Sequence, residues 1–425
     1  MTYISIIIAI FAAKKERNMS YSLSQYNCIK IGVDSVAICN TFSGGLAVLD
    51  KDEYYKFRNI QNYSALDNDI KEWHKQGFIV EDGKDELSIV NYCRFRDTFL
   101  MNRPIYRILT TSTCNAQCFY CYEQGRPIQT MSKETALDTA DFIISNTEEK
   151  EKVTLNWFGG EPLLNPDVIT LIMQKLISEL GSDRIDSSMI TNASLFSKEL
   201  ISKAKETWNL NNIQITLDGM AEIHNKRKSY VNNCFTFGKT IETIRLLLSE
   251  GFRVSLRLNY DKDNFNDIVN LIYFIHETFG NQENLICYAY PLFNTTSNKE
   301  DSYVYCDDIP VYMPRIISAL AKCGYYNPNM ILQRRTHACF ATDPYSYVIN
   351  SDGVLYKCTM DKMELSRSVG NVKDGIIMNS VLMEWTTPIL PEQCLNCVML
   401  PICQGGCRAS RILNLDESLD RKSVV

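Results

Sequence analysis

Between residues 106 and 290 the sequence changes its hydrophobic period repeatedly and always in the same way. A short apolar run is followed by a stretch whose apolar positions recur at helical spacing. The runs are 106–110, 153–158, 185–190, 213–217, 253–258 and 285–290. In one intervening stretch Phe237, Ile241, Ile244, Leu247 and Leu248 share a single helical face. Strands separated by helices lie parallel and are joined by right-handed crossovers. Six such units predict an α/β fold, an open or partial (β/α)6 barrel with its chemistry at the C-terminal ends of the strands.

Two different textures flank this core. Residues 19–100 carry strand-like runs at 28–33, 35–39 and 47–49, then helical patterns at 52–59 and 67–76, and close on Gly77-Phe78-Ile79-Val80. That reads as a small α+β domain without a polar constellation of its own. Residues 101–325 hold the barrel pattern. Across 326–425 the regular pattern fades into glycines and short runs, where bound metal would supply the missing stability. Residues 4–13 are apolar but about half as long as a bilayer span needs. Lys14, Lys15, Glu16 and Arg17 follow, where a cleavable signal would have small residues. Met19 is therefore the expected start, with 1–18 as an extension.

Sixteen cysteines stand out against four histidines. In a large chain without an export signal they read as cytoplasmic thiols serving as metal ligands rather than as disulfides. The net charge of −6 and the lack of basic runs argue against nucleic acid and membrane partners.

Directly after the first barrel strand, Cys114, Cys118 and Cys121 form a CX3CX2C loop with Tyr120 before its last cysteine. Three thiolates in one loop can grip three irons of a cubane cluster and leave the fourth open. A zinc knuckle or three buried cysteines are the alternatives, although zinc takes four ligands and no fourth Cys or His lies nearby. Later strands end on Gly159-Gly160-Glu161-Pro162, on Thr191-Asn192, and on Thr216-Leu217-Asp218-Gly219, with His224 and Arg227 following. Paired glycines allow close backbone approach. Arg257 and Asn259 end the fifth strand, where a salt bridge at the core rim is one reading of Arg257.

With these motifs the span from Tyr106 to Tyr290 resembles the radical S-adenosylmethionine (SAM) superfamily. The resemblance implies one catalytic [4Fe-4S] cluster on Cys114, Cys118 and Cys121, with SAM on the open iron, cleaved reductively to a 5′-deoxyadenosyl radical. It implies further that the Gly159-Gly160-Glu161 turn takes the SAM amino group, Thr216 the ribose and Arg227 the carboxylate. Tyr120, Thr191 and Asn192 are the remaining expected SAM neighbours.

Near the C-terminus the pattern Cys339-X13-Gly353-X4-Cys358, then Cys394-X2-Cys397-X5-Cys403-X3-Cys407, resembles the SPASM extension. That resemblance implies a first auxiliary cluster on Cys339, Cys358 and Cys407 and a second on Cys394, Cys397 and Cys403. Each then lacks a ligand. Gln333 and Arg334 occupy the neighbourhood of one absent cysteine, with Cys323 or Cys306 as substitutes. No cysteine follows Cys407; Asp416, Glu417 and Asp420 are candidate donors there, but the expectation is a labile, incompletely ligated or absent second cluster.

SPASM proteins of this layout are mostly peptide and protein maturases. The expectation is a thioether or carbon–carbon cross-link in a ribosomally made precursor peptide, with the N-terminal domain docking its leader by strand addition. A flavodoxin or ferredoxin would supply electrons. The alternatives are a formylglycine-forming sulfatase maturase and a zinc-stabilised binding scaffold. The sulfatase-type aspartate base would stand where this chain has Thr359, with Asp361 two residues on.

Overall fold

A computed structural model describes residues 20–99, 103–149, 151–231, 236–292, 309–325 and 339–413. The expectations placed on 1–18, Cys306, Gln333, Arg334, Asp416, Glu417 and Asp420 lie outside the described residues.

The N-terminal domain has five strands, β1 Tyr21–Leu23, β2 Asn27–Ile31, β3 Val36–Asn40, β4 Leu46–Leu49 and β5 Ile79–Glu81. β2-β3-β4 form an antiparallel meander, and β1 pairs with β5. The helix Lys51–Arg58 begins at a capping box, in which Asp50 accepts the Glu53 amide and Glu53 accepts the Asp50 amide. Val36, Ile38, Phe57, Ile70, Trp73 and Phe78 make a separate core. A third helix, Glu86–Phe99, was not expected from sequence. Its apolar positions follow no single stripe, because it is wedged between this domain and the C-terminal region, where Val90 meets Tyr26 and Leu400.

The barrel strands are β6 Ile105–Leu109, β8 Val153–Phe158, β9 Ile185–Thr191, β10 Leu210–Leu217, β12 Arg253–Tyr260 and β13 Leu285–Pro291. All six pair in parallel and in sequence order. Two three-residue strands, β7 Ala116–Cys118 and β11 Lys228–Tyr230, form a small ribbon of their own. Helices 133–145, 166–180, 198–206, 237–249 and 265–279 cover the outer face. Leu155, Trp157, Ile213, Ile215, Val254 and Leu256 are fully buried beneath them.

The C-terminal region is more regular than its sequence texture suggests. β14 Tyr347–Ile349 adds in parallel to β6, and β15 Val354–Tyr356, β16 Gly370–Asn371 and β17 Gly375–Ile376 follow as an antiparallel meander. One ten-stranded sheet therefore runs from β13 to β17. Strands of two or three residues are too short to show a period. Val348, Ile349, Leu355 and Trp385 are nonetheless buried, so apolar packing contributes stability here independently of any metal.

Candidate active site

β6 delivers the chain to a loop that the β7–β11 ribbon pins in place. Cys118 pairs with Lys228, Gln117 with Ser229 and Ala116 with Tyr230. Cys114, Cys118 and Cys121 are all half-buried. Burial pushes the Cys114 and Cys118 thiols up to about 11 and raises Cys121, and each feels another of the three as a like charge. Without a bound cationic centre the three remain neutral thiols at neutral pH; a bound metal would favour their thiolates. Cys114 Sγ also accepts the Ala116 amide at 3.4 Å and the Asn192 side chain at 3.8 Å. Donors of this kind to cluster sulfurs set iron–sulfur potentials. Among the described residues no three His, Cys, Asp or Glu groups converge on a single metal ion. The donor set fits an iron–sulfur cluster.

The strand-end motifs converge on this loop. A Cβ on Gly159 would lie 2.3 Å from the Thr111 carbonyl oxygen, and one on Gly160 would lie 2.2 Å from that of Thr113. The close approach these glycines permit is thus to the cluster loop itself, sealed by Gly160 N–H to Thr111 O and Glu161 N–H to Thr113 O, both 2.9 Å. Glu161 is fully buried. It accepts the Thr191 hydroxyl at 2.7 Å, the Asn192 amide at 2.8 Å and the Leu163 amide at 3.1 Å. Its carboxylate ties the ends of β8 and β9 together, while Asn192 reaches Asn115 at 2.8 Å.

Tyr120 donates to both oxygens of the fully buried Asp218, at 2.7 and 2.9 Å. Burial and then Asp218 hold this phenol well above its ordinary range, so it remains a donor. Arg227 is buried against Asp261 at 2.5 Å and stacks on Phe119, leaving its Nε–H without an acceptor. Thr216 is half-buried, and its carbonyl accepts Lys228 Nζ at 3.0 Å.

The concave face of the sheet is half-exposed and polar. Asn156 donates to Ser188 at 2.6 Å, and Tyr288 donates to Gln214 at 2.8 Å. Arg257 lies 4.1 Å from the Tyr290 ring and donates to Asn259 at 3.0 Å. The salt bridge considered for Arg257 is not found among the described residues.

Residues 108–275 match the family profile described as the Radical SAM superfamily, the span that holds the loop and these strand ends. This span is a radical SAM domain. The cofactors implied by the family are SAM and a [4Fe-4S] cluster. Radical SAM cyclopropyl synthase TigE of Paramaledivibacter caminithermalis is 22% identical over 91% of this chain and 89% of its own. The cysteine-type anaerobic sulfatase-maturating enzyme of Clostridium novyi is also 22% identical, over 71% of this chain and 86% of its own. Native anSMEcpe with bound AdoMet and Cp18Cys peptide superposes with a TM-score of 0.60 at 18% identity, covering 76% of this chain and 93% of that one. Streptococcus suis SuiB bound to precursor peptide SuiA gives 0.56 at 14% identity over 95% and 100%. These two likenesses show the fold.

Beyond the radical SAM domain, the C-terminal cysteines fall into two places. Cys339, Cys358 and Cys407 border one apolar cluster. Burial first, then Cys339 and Cys407, push the Cys358 thiol up to about 12. Cys394 packs instead with Tyr26, Val90 and Leu400 at the N-terminal domain. Cys323, weighed as a substitute ligand, is buried in the barrel core beside Cys287. Arg126, which sequence reasoning missed, ties the Cys114–Cys121 loop to the segment after Cys358 by donating to Thr359 O at 2.6 Å and Asp361 O at 3.0 Å. Asp218 and Asp261 were also missed as partners. Their pairings span 98 and 34 residues, which no local spacing encodes.

Proposed function

We propose that this enzyme matures a ribosomally made peptide, forming a thioether or carbon–carbon cross-link by radical chemistry. One observation supports the peptide reading above the others. The β2-β3-β4 meander has open edges among the described residues, and β4 exposes Leu46 and Val48 by about two-thirds. An open apolar edge invites a strand from another chain. The relatives named with peptides in their structures agree with this reading.

Cys114, Cys118 and Cys121 would hold the catalytic cluster, Asn192 and the Ala116 amide supporting Cys114. SAM bound there supplies hydrogen-abstracting chemistry once an external flavodoxin- or ferredoxin-type donor reduces the site. Arg257, Gln214, Tyr288 and Tyr290 line the concave face and would orient the peptide. The C-terminal triads would hold one or two auxiliary clusters, and the expected location is the cytoplasm. Among the described residues no helix is long and apolar enough to cross a membrane. A second reading, formylglycine formation, draws on the Clostridium relative. Asp361 is the carboxylate nearest the expected base position, but it is fully buried and faces Arg367 at 3.5 Å.

The test is anaerobic reconstitution with iron, sulfide, SAM and dithionite, together with the short peptides encoded beside the gene. Expected is release of 5′-deoxyadenosine and loss of two hydrogens from one peptide without a hydrazine-reactive carbonyl. The double variant Leu46→Lys/Val48→Lys should keep 5′-deoxyadenosine release and lose most peptide modification. Unchanged modification by that variant would overturn leader docking, and a trapped carbonyl would favour the second reading.

A further inference from the structure

Alternation along the β2-β3-β4 meander sends one face inward, where Val36, Ile38 and Leu49 are buried. The opposite face carries two cysteines in one row. Cys28 on β2 stands directly across from Cys39 on β3, which in turn stands across from Leu46 on β4. Cys28 is exposed and Cys39 half-buried. The Gly32 amide donates to the Ser35 carbonyl at 2.8 Å, and the Thr41 amide to the Tyr26 carbonyl at 3.0 Å. Stepping inward from either bond by alternate residues makes Cys28 and Cys39 a hydrogen-bonded pair, whose Cα atoms stand about 5.5 Å apart. That separation lies inside the range a disulfide spans, roughly 4.4–6.8 Å. Opposed Cβ atoms on a sheet are about 4.5–5.5 Å apart, whereas a disulfide draws them to about 3.8 Å. Closure therefore needs a local pinch of the two strands, and a bond under that strain is readily reduced.

We propose that Cys28 and Cys39 form a reversible dithiol–disulfide site on the outer face of the N-terminal domain, with small-molecule disulfides of the glutathione class as co-reactant. Cys28, the exposed sulfur, meets the co-reactant. Its thiolate attacks one sulfur of the small disulfide; the other sulfur leaves and takes up the proton, and a mixed disulfide remains. Cys39 then loses its proton and displaces the second small thiol, closing the bond to Cys28. The two protein sulfurs give up two electrons, and the small disulfide takes them in becoming two thiols. Burial, then the neighbouring Cys28, raise the Cys39 thiol, which suits the resolving position rather than the attacking one. Metal binding is the competing use of two thiols. Among the described residues no third His, Cys, Asp or Glu joins them, and zinc takes four ligands. Cys287 and Cys323 also lie together, but both are buried in the barrel core, out of a co-reactant's reach. The site is independent of which bond the enzyme forms in its peptide and of leader docking at the β4 edge.

The test treats the anaerobically reconstituted holoenzyme with glutathione disulfide, caps the remaining thiols with iodoacetamide and maps the peptides by mass. Expected is a cross-link between Cys28 and Cys39 that has lost two hydrogens and retains no glutathione, with iron content unchanged. Excess reduced glutathione should reopen it and restore iodoacetamide labelling at both positions. In Cys39→Ser the Cys28 sulfur should instead keep one glutathione, because no resolving thiol stands opposite. In Cys28→Ser no cross-link to Cys39 should form. Labelling of both thiols after oxidation, glutathione retained on Cys28 of the parent, bonds from this pair to other cysteines, or a cross-link that reduced glutathione leaves closed would each overturn the proposal.

Discussion

His224 is fully buried, and its Nδ1 accepts the Asp218 amide at 3.2 Å. Burial lowers its pKa from 6.5 to about 4, so the folded chain takes up that proton at lower pH than the unfolded chain. Between those values the unfolded state binds more protons, and stability therefore falls as pH falls through the window. Between pH 7 and pH 5 the parent should lose about 2 kcal/mol more than His224→Gln. Denaturant unfolding of both proteins at the two pH values checks this, and equal losses would remove the buried neutral imidazole from the account. At this scale the sequence was legible where chemistry is local. The spacing of Cys114, Cys118 and Cys121 named the loop, but nothing in it revealed that Asp218 would receive Tyr120 or that Glu161 would brace Thr191 and Asn192.

The turn after β8 and the loop after β6 behave as one unit, because glycine is all that fits between them. In Gly160→Ala the added carbon would stand 2.2 Å from the Thr113 oxygen and 2.4 Å from its carbonyl carbon. Both are backbone atoms that cannot rotate away. The loop must shift, and its three sulfurs with it. Such a variant should keep its far-UV circular dichroism yet lose catalytic-cluster iron and 5′-deoxyadenosine release, and a fully loaded, active variant would show that the loop tolerates displacement. The barrel strands were legible because alternation and length agree over five to eight residues each. Glu86–Phe99 was not, because its buried positions, Glu86, Val90, Arg94 and Thr98, mix charge with apolar residues at helical spacing.

For the whole molecule, the continuity of the sheet across the expected boundary at residue 326 matters most. β14 covers the edge of β6 with Tyr347 opposite Tyr106 and Ile349 opposite Ile108. A chain ending at residue 325 would leave that edge open, with buried Leu109 uncovered beside it. It should aggregate, whereas the full chain stripped of iron should stay soluble with its helical signal. A soluble monomeric 1–325 chain that still cleaves SAM would contradict this. The sequence pattern pointed to a barrel and a separate cysteine-rich tail because strands of two or three residues leave no period to read.

Pairing of β6 with β14 also has a consequence in time. The partners lie 241 residues apart, as the Ile105 amide bonded to Ser346 Oγ shows. At ribosomal rates of about 5–20 residues per second, β6 waits on the order of tens of seconds for its neighbour to be synthesised. During that interval the nascent barrel presents a bare strand edge and a cysteine loop together. An unpaired edge of that kind is a template for association with another chain until β14 arrives to close it.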